Sequence, residues 1–193
     1  MKNLLTKFDN RAFTLVETLV AVSIFSIAIL ALLVVLTQSI SNTNYAKSKI
    51  IATYLAQEGI EYIRNMRDSF VLFDPVSTQD GWNAFFAKLT GASCHVANGC
   101  YFDDADLDYS DGSQAITEID FTACGASCPM MLYDSVSGKY GYESSGVNSG
   151  FTRKIAVSQI SANEIKVLST VFWTQGSGTY SMVLSESVFN WAE

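Results

Sequence analysis

The N-terminal part of the chain contains one long stretch whose apolar residues cover every face of a helix. This stretch runs from Leu19 to Leu36, and no residue from Thr18 to Ala46 carries a charge. About 20 residues, each rising 1.5 Å, cross the roughly 30 Å hydrocarbon layer of a bilayer. The length therefore predicts a membrane-spanning helix rather than a helix buried in a soluble domain.

The residues before this stretch predict its orientation. Their charges are mainly positive, with Lys2, Lys7 and Arg11 against Asp9. A positive flank stays cytoplasmic, which places the chain after Asn42 outside. A cleavable secretory signal starts in a similar way, but here the apolar stretch is too long and no small-residue cleavage site follows it closely.

After Asn42 the pattern becomes amphipathic. No proline precedes Pro75 and no glycine precedes Gly59, so nothing breaks a helix in this region. We predict one long helix from about Thr14 to Arg67, with its first half in lipid and its second half under a globular head. The apolar positions that recur at helical spacing are Ile50, Ile51, Tyr54, Leu55, Ile60, Ile63 and Met66.

Residues 69–150 lose this periodicity and are rich in Gly, Ser, Asp and Tyr. Such a composition predicts a loop-rich layer. One short hairpin is expected within it, with residues 131–133 paired to residues 140–142 around Ser137 and Gly138.

Residues 151–193 alternate in the way that strands do. A strand is predicted from Phe151 to Ile160, a second one follows the turn at 161–163, and a third runs from Tyr180 to Phe189 after a glycine-rich turn. An antiparallel sheet needs one covered face, and the amphipathic half of the helix is the obvious cover. The predicted fold class is α+β: a long N-terminal helix, half transmembrane and half amphipathic, packed on a C-terminal antiparallel sheet.

Charge and composition exclude several functions. The chain of 193 residues has 12 basic and 19 acidic residues and a net charge of −7, so it lacks the basic footprint that nucleic-acid binders need. His95 is its one histidine, which leaves few ingredients for a catalytic triad or a multi-histidine metal site. We expect a structural and interaction protein, not an enzyme.

Glu17 places a charge directly before the apolar stretch, within the predicted long helix. A carboxylate in hydrocarbon costs a few kcal/mol and usually marks function, although a place in the headgroup region near the helix start is the simpler alternative. The surrounding segment reads Arg11-Ala12-Phe13-Thr14-Leu15-Val16-Glu17. It resembles the type IV prepilin signal: a short basic leader, a small residue, and then Phe-Thr-Leu-Val-Glu opening an apolar helix.

This resemblance implies a processing pathway. In that family the membrane-bound prepilin peptidase cuts on the cytoplasmic side, after the small residue, and methylates the new amine. The cut would fall between Ala12 and Phe13, and Phe13 would become the methylated N-terminus. Most prepilins have glycine before the cut; because alanine is also small, processing should survive at a slower rate.

The resemblance also implies partners and a location. The partners would be prepilin peptidase, other pilin subunits, the pilus assembly machinery and the membrane, with no nucleic acid beyond a role in DNA uptake. The chain would sit in the cytoplasmic membrane with its N-terminus inside, and afterwards in an extracellular pilus or at the cell surface. The segment Tyr54–Asp68 resembles the helix end of minor pilins.

Elementary electrostatics agrees with an assembly role for Glu17. A cationic amine at Phe13 and a carboxylate attract strongly in a low dielectric and offset part of each other's desolvation. The amine of one subunit against Glu17 of a neighbour would fix axial register.

The sequence patterns and the resemblance together predict five regions. They are a prepilin leader (1–12), an assembly helix (13–42), an amphipathic helix (43–68), a loop-rich region (69–150) and a β-sheet (151–193).

Four cysteines remain: Cys94, Cys100, Cys124 and Cys128. An even number outside a membrane predicts disulfides. The local pairs, Cys94 with Cys100 and Cys124 with Cys128, are favoured because each closes a short loop, while pairs between the two groups remain open. Zinc is the rival reading, and the spacings fit it poorly.

An acidic cluster gives a hypothetical calcium site at Asp104, Asp106, Asp108 and Asp111, next to Asp103. Alternating aspartates resemble the start of a calcium loop. Tyr109 stands where an EF-hand needs glycine, so a solvated acidic loop is the favoured interpretation and no cofactor is expected.

Two other functions stay open. One is a pseudopilin of a type II secretion or DNA-uptake system. The other is a single-pass anchored ectodomain that binds a ligand at the cell surface without polymerising. Glu17 distinguishes the ectodomain from a pilin, because a plain anchor gains nothing from a carboxylate at that position.

Overall fold

The computed structural model describes residues 14–74, 76–103, 120–142 and 146–191. The chain divides into two compact units, Met1–Tyr45 and Ala46–Glu193. The first unit contributes a helix segment, and the second, hereafter the head, contains the sheet and the hydrophobic core.

Helix α1 runs from Leu15 to Phe73 over 59 residues, so the predicted long helix is confirmed. It continues six residues beyond the predicted end at Arg67. Its end follows from Pro75, because the residue before a proline is disfavoured in the helical conformation. The side chain of Asp74 then accepts hydrogen bonds from the backbone amides of Val76 and Ser77, at 2.8 and 3.0 Å.

A second helix, α2, spans Thr78–Gly91 in the region that was expected to be loop-rich. Ser77 caps its N-terminus by accepting a hydrogen bond from the Asp80 amide at 3.1 Å. Trp82, Phe85 and Leu89 are buried, and their spacing of three and four residues forms one apolar face. A loop was predicted here because the apolar face of α2 has only three residues, too few to give a clear helical period in a glycine-containing segment.

The described residues of the head form two antiparallel sheets. The larger has the order β2-β1-β6-β7-β8 and the smaller the order β4-β3-β5. The α+β fold and the three long C-terminal strands are confirmed, as is the hairpin of β3 and β4. The strands are β1 Cys100–Phe102, β2 Phe121–Ala123, β3 Leu132–Tyr133, β4 Tyr140–Gly141, β5 Val147–Asn148, β6 Phe151–Ser161, β7 Glu164–Gln175 and β8 Gly178–Phe189.

The core lies between the helices and one face of the larger sheet, here called the inner face. Alternate residues of β6 face it, among them Arg153, Ile155 and Val157, which are all buried. Residues of α1 such as Ile60, Ile63 and Met66 pack into the same cluster. The Trp82 indole donates to the Ala162 carbonyl at 2.9 Å and fastens α2 to the β6–β7 turn.

A charged residue lies inside this core. Arg153 is 0% exposed, and its guanidinium carbon lies 4.4 Å from the centre of the Phe102 ring. Its Nη1 atom donates to Glu58 Oε2 of α1 at 2.8 Å. Its Nε and Nη2 atoms have no hydrogen-bond partner among the described residues. Glu58 is therefore the carboxylate that compensates the buried charge.

Glycine at position 59 allows α1 to approach the sheet closely. A Cβ atom there would lie 2.6 Å from Ser169 Oγ and 2.9 Å from Ile155 Cδ1. We expect Gly59→Ala to lower the free energy of unfolding by about 1–2 kcal/mol, because overpacking outweighs the gain of about 1 kcal/mol in helix propensity. Thermal unfolding of the full-length protein measures the change.

Gly91→Ala is the matched control. It lies at the end of α2 and a Cβ there meets nothing within 4 Å. We expect it to leave the unfolding temperature unchanged or slightly raised. Equal effects of the two substitutions would contradict close packing at Gly59.

Candidate assembly site

The start of α1 is a capping box built from Thr14 and Glu17. The Thr14 carbonyl accepts the first helical hydrogen bond, from the Thr18 amide at 3.2 Å, which makes Thr14 the N-cap residue. Thr14 Oγ1 accepts from the Glu17 amide at 3.3 Å. Glu17 Oε2 accepts in return from the Thr14 amide at 3.2 Å and from the Thr14 hydroxyl at 3.1 Å.

This geometry gives the Glu17 carboxylate a defined position. It lies in the first turn of α1, where the positive end of the helix dipole favours a negative charge. Both hydrogen bonds from Thr14 end on one carboxylate oxygen, Oε2. A carboxylate has about four acceptor sites, so the cap uses only part of its capacity.

The helix that follows is apolar on its whole circumference. Every residue from Thr14 to Asn44 is exposed within this unit, and its large apolar side chains from Leu15 to Ile40 are 41–80% exposed. In the described part of the chain, α1 is the one helix long and apolar enough to cross a membrane. Such a surface needs lipid or other helices around it.

The few hydroxyl groups in this surface are satisfied within the helix itself. Each serine and threonine between residues 18 and 37 donates to a backbone carbonyl three or four residues earlier, at 2.8–3.1 Å: Thr18, Ser23, Ser26 and Thr37. Burying an unpaired hydroxyl in an apolar medium costs several kcal/mol. These hydrogen bonds therefore make the surface suitable for lipid and leave Glu17 as its one charged group.

Some of the predicted site residues lie outside the described residues. These are Ala12 and Phe13 at the predicted cut, and Asp104, Asp106, Asp108 and Asp111 of the hypothetical calcium site. Within the described ranges, no group of three or more His, Cys, Asp or Glu side chains could hold a metal ion.

The cysteines form two local disulfides in the structure, Cys94–Cys100 and Cys124–Cys128. They lie in the head, apart in sequence from the helix start. Cys94 is fully buried, and its carbonyl accepts from the Val157 amide at 2.9 Å, which ties the first disulfide loop to β6. The disulfides therefore belong to the framework of the head.

Thr14 is the site residue that the analysis of the sequence missed. The signal was present, because a threonine followed three residues later by a glutamate and then an apolar run is the pattern of a capping box.

Comparison with known families agrees with this geometry. Residues 7–33 match the prokaryotic N-terminal methylation motif, the prepilin-type motif of type IV pilins. The predicted resemblance of the N-terminal segment is thus confirmed, and the match supports a type IV pilin-like or pseudopilin precursor. It also implies processing by prepilin peptidase, assembly with other pilins, and membrane anchoring before assembly. The chain has no significant match to a curated protein or to a solved structure.

Proposed function

We propose that this chain is a structural subunit of a type IV pilus, a minor pilin that is cut by prepilin peptidase and built into a filament through its N-terminal helix. The observation that carries the proposal is Glu17, the single charge at the start of a helix that is apolar and exposed all round, inside a methylation motif.

The exposed apolar surface supports assembly. In the membrane, lipid chains cover this surface. In a filament, the same surface is covered by the helices of neighbouring subunits. The move costs little hydrophobic free energy because both surroundings are apolar. A specific polar contact is then needed to give the assembly a preferred arrangement.

Glu17 supplies that contact. Its Oε2 atom is engaged by Thr14 of the same chain, and the cap survives processing because the Phe13–Thr14 peptide bond is not cut. In the proposed filament, Oε1 accepts a hydrogen bond from the methylated amine of Phe13 on a neighbouring subunit. Methylation leaves the positive charge on that amine, so the pair is ionic in a low dielectric.

Removal of the leader is a requirement of the same mechanism. Lys2, Lys7 and Arg11 cannot be packed among apolar helices without a large desolvation penalty. Cleavage after Ala12 removes all three and creates the amine. We propose that the chain resides in the cytoplasmic membrane with its N-terminus inside until this cut, and at the cell surface after assembly.

A pseudopilin is the second candidate function. The methylation motif and the apolar helix are equally compatible with it, since both kinds of subunit are processed and assembled through this segment. The proposal favours a minor pilin because Tyr54–Asp68 resembles the helix end of that group. Finding the chain in surface pili, and not only in secretion complexes, distinguishes the two.

Mass spectrometry of the mature N-terminus tests the proposal. We expect the first residue to be Phe13 with a methyl group on its α-amine. The control is the same chain from cells without prepilin peptidase, which should retain Met1. An intact Met1 in normal cells, or a cut beyond Leu36 as in a secretory signal, would contradict the proposal.

A further inference from the structure

A pocket of about 350 Å³ lies on the outer face of the larger sheet, the face opposite α1. The register places its strand residues on that face, with Thr152 opposite Phe172 and with Thr179 opposite Thr174. Its walls come from the two disulfide loops. The lining residues with polar or aromatic side chains are Asn98, Ser127, Thr152, Lys154, Phe172 and Thr179.

Covalent and hydrogen bonds fix the walls. The Cys94–Cys100 disulfide closes the loop that carries Asn98, and the Cys124–Cys128 disulfide closes the loop that carries Ser127. The two loops are joined because the Cys124 amide donates to the Gly99 carbonyl at 2.9 Å. Because its walls are already held in place, the pocket loses little conformational entropy when a ligand binds.

Lys154 is held at this pocket by the first loop. Gly99 has a φ of +68°, and a Cβ atom there would lie 2.9 Å from Lys154 Cγ and 3.2 Å from its Cδ. Glycine thus leaves the space in which the lysine stem rests. The Lys154 ammonium donates to the Ala97 carbonyl at 3.4 Å, and no carboxylate of the described residues forms an ion pair with it.

The lining of the pocket combines three chemistries. Lys154 presents an ammonium with three donors, of which the loop carbonyl takes one. Phe172 presents a half-buried ring, and Thr152, Thr179 and Ser127 present hydroxyls. Within the described part of the chain, no acidic side chain lines the pocket, although the protein carries a net charge of −7.

We infer that this pocket binds a monosaccharide unit that carries a carboxylate, such as a uronic acid. The apolar face of a sugar ring packs on Phe172, its hydroxyls exchange hydrogen bonds with the threonines, and its carboxylate accepts from Lys154. The volume suits one sugar ring, since small-molecule pockets begin at about 300 Å³. This inference concerns the head and does not rest on filament assembly.

Calorimetric titration of the full-length chain in nanodiscs with sodium D-glucuronate tests the inference. We expect saturable binding in the millimolar range, and binding of D-glucose about tenfold weaker because it lacks the carboxylate. Lys154→Met should weaken glucuronate binding about tenfold. Phe172→Leu, which keeps the site apolar but removes the ring, should weaken glucuronate and glucose alike.

Lys166→Met is the matched control. Lys166 is exposed on the same face of the sheet, on β7, and its loss changes the net charge equally, but it does not line the pocket. It should leave binding unchanged. Equal losses in both lysine variants, binding of acetate as tight as that of glucuronate, or no binding to the unaltered protein would each overturn the inference.

Discussion

Glu17→Leu is expected to remove the chain from filaments while leaving it inserted in the membrane. The leucine makes the helix more apolar, so insertion is not impaired. Assembly would then lack the proposed ionic contact of the apolar surface, between the Glu17 carboxylate and the amine of Phe13 on the next subunit. A charge-assisted hydrogen bond contributes about 1.5–3 kcal/mol, which corresponds to a 10- to 100-fold lower occupancy in the filament.

Two further variants separate the charge from the cap. Glu17→Gln keeps an oxygen that can accept from Thr14 and loses the charge, so it should fail to assemble almost as completely as the leucine variant. Thr14→Ala keeps the charge and loses the capping hydroxyl, at a cost of about 1 kcal/mol to the helix start. It should assemble at a modestly reduced level.

Immunoblots of sheared filaments and of membranes measure the occupancy. Normal assembly of Glu17→Gln would show that the carboxylate acts only through the cap and would refute the ionic contact. An uncut leader, with the unaltered chain and Glu17→Leu both present in membranes and both absent from filaments, would favour the anchored ectodomain over a pilin-like subunit.

Glu58→Leu is expected to destabilise the head by about 3 kcal/mol, because it leaves the Arg153 guanidinium buried without a counter-charge. For a domain of this size the unfolding temperature should fall by about 10 °C. Arg153→Met removes the buried charge itself. Glu58, whose side chain is 35% exposed, can then turn to water. The cost should be about 1 kcal/mol, or about 3 °C.

Thermal unfolding of both variants and of the double variant, followed by circular dichroism, checks this asymmetry. The double variant should be more stable than Glu58→Leu alone, since it no longer buries an unpaired charge. Equal losses in the two single variants would indicate that packing on Phe102, and not charge compensation, is the main contribution of Arg153.

The elements with long, regular patterns were predictable from the sequence. Uninterrupted apolar and amphipathic periodicity revealed α1, and strict alternation with clear turns revealed β6, β7 and β8. Helix α2 was missed because its apolar face has only three residues, and its stability comes from packing against the core rather than from its own pattern.

The candidate sites also differ in how far a local sequence pattern predicts them. The cap of Thr14 and Glu17 is local, spans four residues, and could be found from spacing alone. The burial of Arg153 was not predictable from the alternation of β6, because it depends on Glu58, which lies 95 residues away in sequence. The outer pocket combines two disulfide loops with three strands, and no local pattern predicts such a meeting of distant segments.

The back-bonded hydroxyls of α1 have a mechanical consequence for any fibre made from this chain. With Thr18, Ser23, Ser26 and Thr37 turned onto their own backbone, neighbouring helices in such a fibre would contact one another through dispersion forces, without hydrogen bonds from these hydroxyls. Sliding of one helix along another would then be opposed by no hydrogen bond from these hydroxyls. The proposed ionic contact of Glu17, at the start of the helix, would be the one polar contact that opposes it. Under tension such a fibre is expected to stretch by slippage between subunits before any head unfolds.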